Sequence, residues 1–128
     1  MKKIRILIVD DDKNLALLLE ARLKTEEYQV RIANSAEEAY QMFFAFRPHL
    51  VLTDIGIGEE NGLDLIKRLR RQIGRIKTVY MTGDAARYRP ALVQEQKLYH
   101  AAILEKPFKY NELVSVVSAQ VRGQQKAA

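Results

Sequence analysis

The amino-acid sequence predicts an α/β protein, built on a doubly wound, five-stranded parallel sheet with helices on both faces. Short apolar runs rich in Val, Ile and Leu alternate five times with segments whose apolar residues recur every three or four positions. The apolar runs are bounded by turn residues, which is typical of strands buried on both faces. A length of 128 residues, 48% of them hydrophobic, fits one domain with a substantial core.

Two strands and two helices are predicted in the first part of the chain. Ile4–Val9 is an apolar, β-branched run, and Tyr28–Ile32 alternates like a strand at the edge of a sheet. Between them, four leucines at helical spacing predict one buried stripe, made of Leu15, Leu18, Leu19 and Leu23. After the second strand, Asn34 or Ser35 caps a helix that ends before Pro48.

Three more strand and helix pairs are predicted after Pro48. The strands are expected at 50–54, 76–82 and 101–104, and the helices at 62–72, 88–98 and after Pro107. Right-handed crossovers leave few topologies for such a chain. The five-unit version has strand order 2-1-3-4-5, the flavodoxin-like arrangement, and binds ligands beyond the carboxyl ends of strands one and three. We expect this domain to span residues 1–122, followed by a polar tail or the start of a linker at 123–128.

Four aspartates follow the two strands that meet at this ligand-binding edge. Asp10, Asp11 and Asp12 follow the first strand, and Asp54 ends the third. At about 4 Å and an effective dielectric constant of about 20, each like-charge pair costs on the order of 4 kcal/mol, so packing alone does not explain the cluster. Capping of the first helix accounts for one of them, Asp12. Because no His or Cys lies nearby, the rest predict an oxygen-lined site for Mg²⁺ or Mn²⁺.

Two further polar residues lie at the ends of neighbouring strands. Thr82 ends the fourth strand and Lys106 follows the fifth, so both are predicted at the same edge as Asp54. The set suits phosphoryl transfer to Asp54, with the metal and Lys106 neutralising the equatorial oxygens and Thr82 binding one of them. An acyl phosphate adds about one to two negative charges there. A protein that responds to this change is a switch.

These motifs together resemble the receiver domain of two-component response regulators over nearly the whole chain. The matching residues are the pair Asp10-Asp11, Asp54, Gly62, Thr82 and Lys106-Pro107-Phe108. The resemblance implies that Asp54 accepts the phosphoryl group. It implies that Asp11 and Asp54 bind Mg²⁺ directly, together with the backbone carbonyl of Gly56, and that Asp10 binds it directly or through water. It also implies a cis Lys106–Pro107 peptide bond.

The resemblance further implies a phosphorylation-dependent signalling switch in the cytoplasm rather than an enzyme with a separate substrate. Its phosphoryl donor would be a histidine kinase or a histidine phosphotransfer protein. The fourth helix, the fifth strand and the fifth helix would form the partner surface, which would also serve a homodimer. The cognate kinase and the downstream output stay open.

One position departs from the family pattern and keeps an alternative open. Ile103 stands three residues before Lys106, where the family usually has an aromatic residue that moves with the threonine. The output signal from Thr82 is therefore expected to travel by another route. Ile103 also leaves room for a pseudo-receiver that binds partners without being phosphorylated, although the acidic, threonine and lysine positions are all intact.

Two other readings of the same fold fit the sequence less well. An aspartyl-nucleophile phosphatase would usually place a second acid two residues after the nucleophile, where Gly56 stands. A dinucleotide-binding domain would need a glycine-rich turn after the first strand. Three aspartates stand there instead, and they would repel a pyrophosphate.

Composition excludes several further classes of protein. The net charge of +5 invites a nucleic-acid interpretation, but the densest basic run has helical spacing and indicates a solvated helix face. That run consists of Lys67, Arg68, Arg70, Arg71, Arg75 and Lys77. We therefore expect no direct nucleic-acid contact by this domain. The absence of cysteine fits a reducing cytoplasm, and Ile4–Val9 is too short for a signal peptide or a membrane span.

Overall fold

The computed structural model describes residues 3–123, which form a five-stranded parallel sheet between two layers of helices. Numbered in chain order, the strands of this sheet are β1 (Arg5–Val9), β2 (Gln29–Ala33), β3 (Leu50–Asp54), β4 (Lys77–Thr82) and β5 (Ala102–Glu105). The helices are α1 (Lys13–Thr25), α2 (Ala36–Phe46), α3 (Gly62–Ile73), α4 (Arg89–Tyr99) and α5 (Tyr110–Gly123). Apart from Gly123, the tail predicted at 123–128 lies outside the described residues.

The sheet has the strand order β2-β1-β3-β4-β5, and every neighbouring pair is parallel. The predicted fold class is therefore confirmed. One detail differs, because the loop after Asp54 contains a small antiparallel hairpin that the sequence did not predict. Its two strands, Gly56–Ile57 and Glu60–Asn61, pair outside the main sheet.

Two hydrophobic cores lie on opposite faces of the sheet. Helices α2, α3 and α4 cover one face, where Phe43, Ile66 and Tyr80 are buried. Helices α1 and α5 cover the other, where Leu23 and Val117 are buried. Side chains alternate between the two faces along a strand, and both faces are covered, so the strands read as nearly continuous apolar runs.

The predicted stripe of α1 was partly wrong. Ala16, Leu19 and Leu23 are buried, whereas Leu18 is 51% exposed. An α-helix turns about 100° per residue, so Leu18 lies roughly 130° around the helix from the centre of the stripe formed by Ala16, Leu19 and Leu23, and it faces solvent.

Helix starts follow the predicted capping chemistry. The carboxylate of Asp12 accepts a hydrogen bond from Leu15 N at 3.1 Å, and the Ser35 hydroxyl accepts one from Glu38 N at 3.1 Å. Asn61 caps α3 in the same way, through Leu63 N at 2.7 Å. These contacts satisfy backbone donors at the first turns, where no carbonyl partner exists within the helix.

Among residues 3–123, no helix combines the length and apolar character needed to cross a bilayer.

Candidate metal and phosphoryl-acceptor site

Strand register brings the predicted site residues to one edge of the sheet. Val9 pairs with Thr53, so Asp10 and Asp54 follow at the same level of neighbouring strands. Asp54 in turn pairs with Met81, which places Thr82 one step beyond it on β4. Thr82 pairs with Glu105 and accepts a hydrogen bond on its carbonyl from Lys106 N at 2.8 Å. Parallel strands end at the same edge, and this is why separate stretches of the chain meet here.

Three carboxylates converge at this edge. Asp10, Asp11 and Asp54 each present a carboxylate oxygen, and these oxygens all lie within 4.8 Å of one another. At separations of this size or less, each pair of like charges costs about 3.5 kcal/mol or more at an effective dielectric constant of about 20. A divalent cation bound among them would remove this repulsion, and oxygen ligands suit a hard cation.

Asp10 is the most deeply placed of the three. It is fully buried, and its Oδ1 accepts a hydrogen bond from Asp12 N at 3.0 Å. Its Oδ2 has no hydrogen-bond partner, which is true of no other fully buried side-chain N or O atom among residues 3–123. Burial raises the pKa of the Asp10 carboxyl above its ordinary value, and the Asp12 hydrogen bond and the Lys106 charge oppose this rise. An unpaired buried carboxylate oxygen beside two other carboxylates fits a metal ligand.

Lys106 supplies the positive charge of the site. Its Nζ donates a hydrogen bond to Asp54 Oδ2 at 2.7 Å and lies 4.0 Å from Asp10 Oδ2. The carboxylate of Asp54 is therefore held in place by the lysine. It is also accessible from solvent, because the Asp54 side chain is 15% exposed. The Lys106–Pro107 peptide bond is cis, as the resemblance implied.

Thr82 is buried beside this group, and its hydroxyl accepts a hydrogen bond from Asp84 N at 2.9 Å. The Asp84 carboxylate in turn accepts one from Arg87 N at 3.1 Å. The threonine is thereby connected to the loop that leads from β4 into α4. A change in the contacts of the hydroxyl would act on this loop first.

The hairpin after Asp54 closes the other side of the site. Gly58 N donates to Asp11 Oδ2 at 2.9 Å, from a residue with φ of +60° that favours glycine. A Cβ on Gly62 would lie 2.2 Å from the Asp54 carbonyl oxygen, so only glycine lets α3 start this close to the strand end. Gly56 begins the hairpin and is exposed, and its carbonyl as a metal ligand stays a prediction.

Two contacts here were missed by sequence reasoning. The first is the hydrogen bond from Gly58 N to Asp11 Oδ2. Its only signal in the sequence is a glycine after a strand end, which does not indicate the residue that its amide contacts. Ile103 lies on β5, half-buried and paired in register with Tyr80. The Tyr80 hydroxyl donates to Glu95 on α4, a contact that no local pattern predicts because 15 residues separate the two in the chain.

Comparison with known families identifies the class of protein. The model of the response regulator receiver domain matches residues 6–118. The chain belongs to this family, whose fold and acidic edge it shares and which works in two-component signalling.

Two relatives show how much of a longer protein such a chain can represent. The chain is 33% identical over 118 residues to the DNA-binding response regulator MtrA of Mycolicibacterium smegmatis, covering 92% of this chain and 50% of that protein. It is 29% identical over 117 residues to the DNA-binding transcriptional regulator NtrC of Azospirillum brasilense, covering 91% of this chain and 24% of that protein. The chain spans half or less of these relatives.

Solved structures match along the whole domain. A CheY-like receiver domain protein from Methanospirillum hungatei gives a TM-score of 0.86 at 25% identity, covering 99% of this chain and 100% of that one. A putative response regulator from Chloroflexus aurantiacus gives 0.81 at 31% identity, covering 94% and 98%.

Proposed function

We propose that this chain is a phosphorylation-dependent switch that accepts a phosphoryl group on Asp54 in a Mg²⁺-dependent reaction. The donor is a histidine kinase or a histidine phosphotransfer protein, and the switch acts in the cytoplasm. The chain is not an enzyme with a separate substrate, since its chemistry is confined to gaining and losing its own phosphoryl group.

One observation supports this proposal above all others. Asp54 lies at a strand end with Lys106 Nζ at 2.7 Å and with oxygens of Asp10 and Asp11 within 4.8 Å. If Asp54 served only for stability, its carboxylate would be stabilised by the charge of Lys106 but destabilised by repulsion from Asp10 and Asp11. Together the four groups provide a nucleophile, a fixed positive charge and ligands for a cation.

In the proposed reaction, one oxygen of the Asp54 carboxylate attacks the phosphorus of a phosphohistidine. A P–O bond to Asp54 forms as the P–N bond breaks, and the imidazole leaves with the electron pair of that bond. Lys106 compensates charge on the transferred group, and the Thr82 hydroxyl binds one of its oxygens. The reverse of the switch is hydrolysis of the acyl phosphate by water.

The residues present fit a magnesium ion. Asp11 and Asp54 would hold it with the Gly56 carbonyl, and Asp10 would hold it directly or through a water. When bound, the ion offsets negative charge on the phosphoryl oxygens. The orphaned Oδ2 of Asp10 supports this assignment, because a buried carboxylate oxygen without a donor is costly unless a cation satisfies it.

A groove next to the site supports a protein as the donor. It has a volume of about 350 Å³ and runs between α1 and the loop that follows β5. Its walls include Leu15, Leu18, Pro107 and Phe108, and it reaches Lys106. Leu18 is 51% exposed there, and such an apolar surface beside a polar site suits a helix that carries the phosphohistidine.

The face formed by α4, β5 and α5 is the proposed surface for output and for a homodimer. Ile103 and Val116 line a groove on it, together with the charged residues Arg89 and Glu112. We propose no direct nucleic-acid contact by this domain. Output passes to a further domain or to another protein.

The test is phosphorylation of the purified chain with acetyl phosphate and Mg²⁺, followed by intact-mass measurement. We expect a gain of one phosphoryl group that disappears in Asp54→Ala and when Mg²⁺ is removed with EDTA. Asp64→Ala, at an exposed acid in the first turn of α3, is the matched control and should gain the group normally.

Other outcomes would favour the alternatives. If no small-molecule or protein donor adds mass to the parent chain, the pseudo-receiver interpretation replaces the proposal. Steady turnover of a phosphate ester would instead indicate a phosphatase.

A further inference from the structure

Glu95 on α4 is a buried carboxylate with no part in the proposed phosphoryl chemistry. It is 3% exposed, and Asp10 is the only other acidic residue so deeply buried among residues 3–123. The Tyr80 hydroxyl donates to Glu95 Oε1 at 2.7 Å. The guanidinium of Arg70 donates through both terminal nitrogens, to Oε1 at 2.6 Å and to Oε2 at 3.2 Å. The carboxylate is thereby satisfied by groups from two other elements.

Arg70 is held just as closely. Its side chain is 15% exposed, and its guanidinium carbon lies 3.4 Å from the centre of the Tyr99 ring. Burial lowers the pKa of Arg70, but the hydrogen bonds and charge of Glu95 raise it, and the net shift is upward. The guanidinium thus stays charged. We call Arg70, Tyr80, Glu95 and Tyr99 the Arg70 cluster, which connects α3, β4 and α4.

The Arg70 cluster matters because α4 has few other anchors. Of its 11 residues, only Leu92 and Glu95 are buried, whereas α3 buries five. Tyr88, at the start of α4, makes no side-chain capping hydrogen bond. A buried ion pair is a weak source of stability compared with apolar packing. A hydrogen-bonded ion pair does fix the relative orientation of the groups that it joins. The position of α4 on the sheet therefore depends on the geometry of the hydrogen bonds that Arg70 and Tyr80 make to Glu95.

The Arg70 cluster is close to the phosphorylation site through β4. Tyr80 precedes Thr82 by two residues, so both side chains point to the same face of the sheet, the one covered by α4. Thr82 also connects to the loop before α4 through Asp84 N. Ile103, which pairs with Tyr80 on the neighbouring strand, carries no hydrogen-bonding group. Tyr80 therefore connects β4 to α4 by a hydrogen bond to Glu95. Ile103 cannot make a corresponding side-chain hydrogen bond from β5.

We infer that the Arg70 cluster transmits the state of Asp54 to α4: a change at Thr82 shifts β4 and its loop, and the hydrogen bonds of Tyr80 and Arg70 to Glu95 carry that shift into the helix. This inference rests on the proposed function, because it needs phosphorylation as its input. It adds the route by which the output face changes and assigns Tyr80 and Glu95 as its positioning residues.

The test compares amide hydrogen exchange of α4 with and without acetyl phosphate and Mg²⁺, with intact mass as the check on phosphorylation. In the parent chain, exchange of the α4 amides should change about fivefold or more on phosphorylation, the lower end of typical couplings between sites. Tyr80→Phe removes one hydroxyl and should gain the phosphoryl group normally but lose most of this change. Tyr110→Phe is the matched control, because its hydroxyl also donates to a glutamate, Glu26, at 2.7 Å on the opposite face.

A second variant separates coupling from stability. The triple change Arg70→Met, Tyr80→Phe and Glu95→Leu replaces the polar contacts with apolar ones of similar volume, so it should melt at or above the temperature of the parent. It should still show no α4 response. If α4 amide exchange changes on phosphorylation as much in Tyr80→Phe and in the triple variant as in the parent, the inference is overturned and the proposed function is not. Absence of a mass gain in the parent with every small-molecule and protein donor tried overturns both the inference and the proposed function.

Discussion

At the scale of single residues, the site is a balance of charges at the ends of strands. Asp10 is buried with one oxygen unpaired, while Asp54 has Lys106 as its partner. Burying a carboxylate without a donor is costly, and it lowers stability unless a cation or a proton offsets the charge. The residues that the proposed chemistry needs are therefore those expected to destabilise the metal-free protein.

Asp10→Asn should stabilise the metal-free protein at neutral pH. Burial raises the pKa of the Asp10 carboxyl above 3.8, so the folded state holds this proton to a higher pH than the unfolded state. The contribution of Asp10 is most favourable below the unfolded pKa and is lost as the pH rises through the folded pKa. The amide oxygen of the variant has no charge and keeps Asp12 N as a donor. Chemical denaturation in EDTA should show an advantage of the variant that grows with pH, and parallel pH profiles would contradict the prediction.

Gly62→Ala should destabilise the fold by about 1–3 kcal/mol, although alanine favours helices by roughly 1 kcal/mol over glycine. The added Cβ would lie 2.2 Å from the Asp54 carbonyl oxygen and 2.9 Å from Thr53 Oγ1, so α3 would have to move away. Gly83→Ala is the control, because a Cβ there meets nothing within 4 Å and should change stability by less than about 0.5 kcal/mol. Urea denaturation measures both, and equal midpoints would refute the steric argument.

At the scale of elements, the strands fix positions and the loops carry the adjustable contacts. Strand register brings Asp10, Asp54, Thr82 and Lys106 to one edge of the sheet, whereas hydrogen bonds between loops and side chains decide how the site is closed. The hairpin bonds to Asp11 through Gly58, and the β4–α4 loop bonds to Thr82. Phosphorylation of Asp54 would be expected to change the hydrogen bonds of these two loops first.

Asp84→Ala should change the lifetime of the acyl phosphate, because Asp84 belongs to the loop that contacts Thr82. The carboxylate holds this loop through Arg87 N at 3.1 Å, and a carboxylate in this loop would assist hydrolysis by accepting a proton from an attacking water. Loss of the carboxylate should lengthen the lifetime by about threefold, which corresponds to roughly 0.6 kcal/mol in activation free energy. Decay of the phosphorylated mass with time measures this. A lifetime equal to that of the parent, and of the control Asp64→Ala, would exclude a role for Asp84.

At the scale of the whole molecule, the fold would couple the proposed binding of a metal ion to stability. Asp10 and Asp54 come from distant parts of the chain and meet only in the folded state. A cation that binds them therefore binds the folded state in preference to the unfolded one, and it shifts the unfolding equilibrium.

Magnesium should stabilise the parent chain by roughly 2.7 kcal/mol at a hundred times its dissociation constant. Asp11→Asn should relieve repulsion in the metal-free protein and remove most of the response to magnesium. Thermal melts over a magnesium titration test this, with Asp64→Asn as a control that should respond like the parent. A parent whose melting temperature does not depend on magnesium would count against the site.

The alternation of apolar runs and helical segments was enough to predict the five strands, their order and the edge where the aspartates meet. Periodicity reports which face of each element is buried, and parallel strands end at one edge, so Asp10, Asp54, Thr82 and Lys106 could be placed before any coordinates. Only tertiary structure decided how individual side chains are partnered. Arg70 belongs to a basic run that looked solvated, yet it turns inward to Glu95, and Leu18 of the predicted buried stripe faces solvent. Such pairings depend on the distance between elements far apart in the chain, which no local pattern contains.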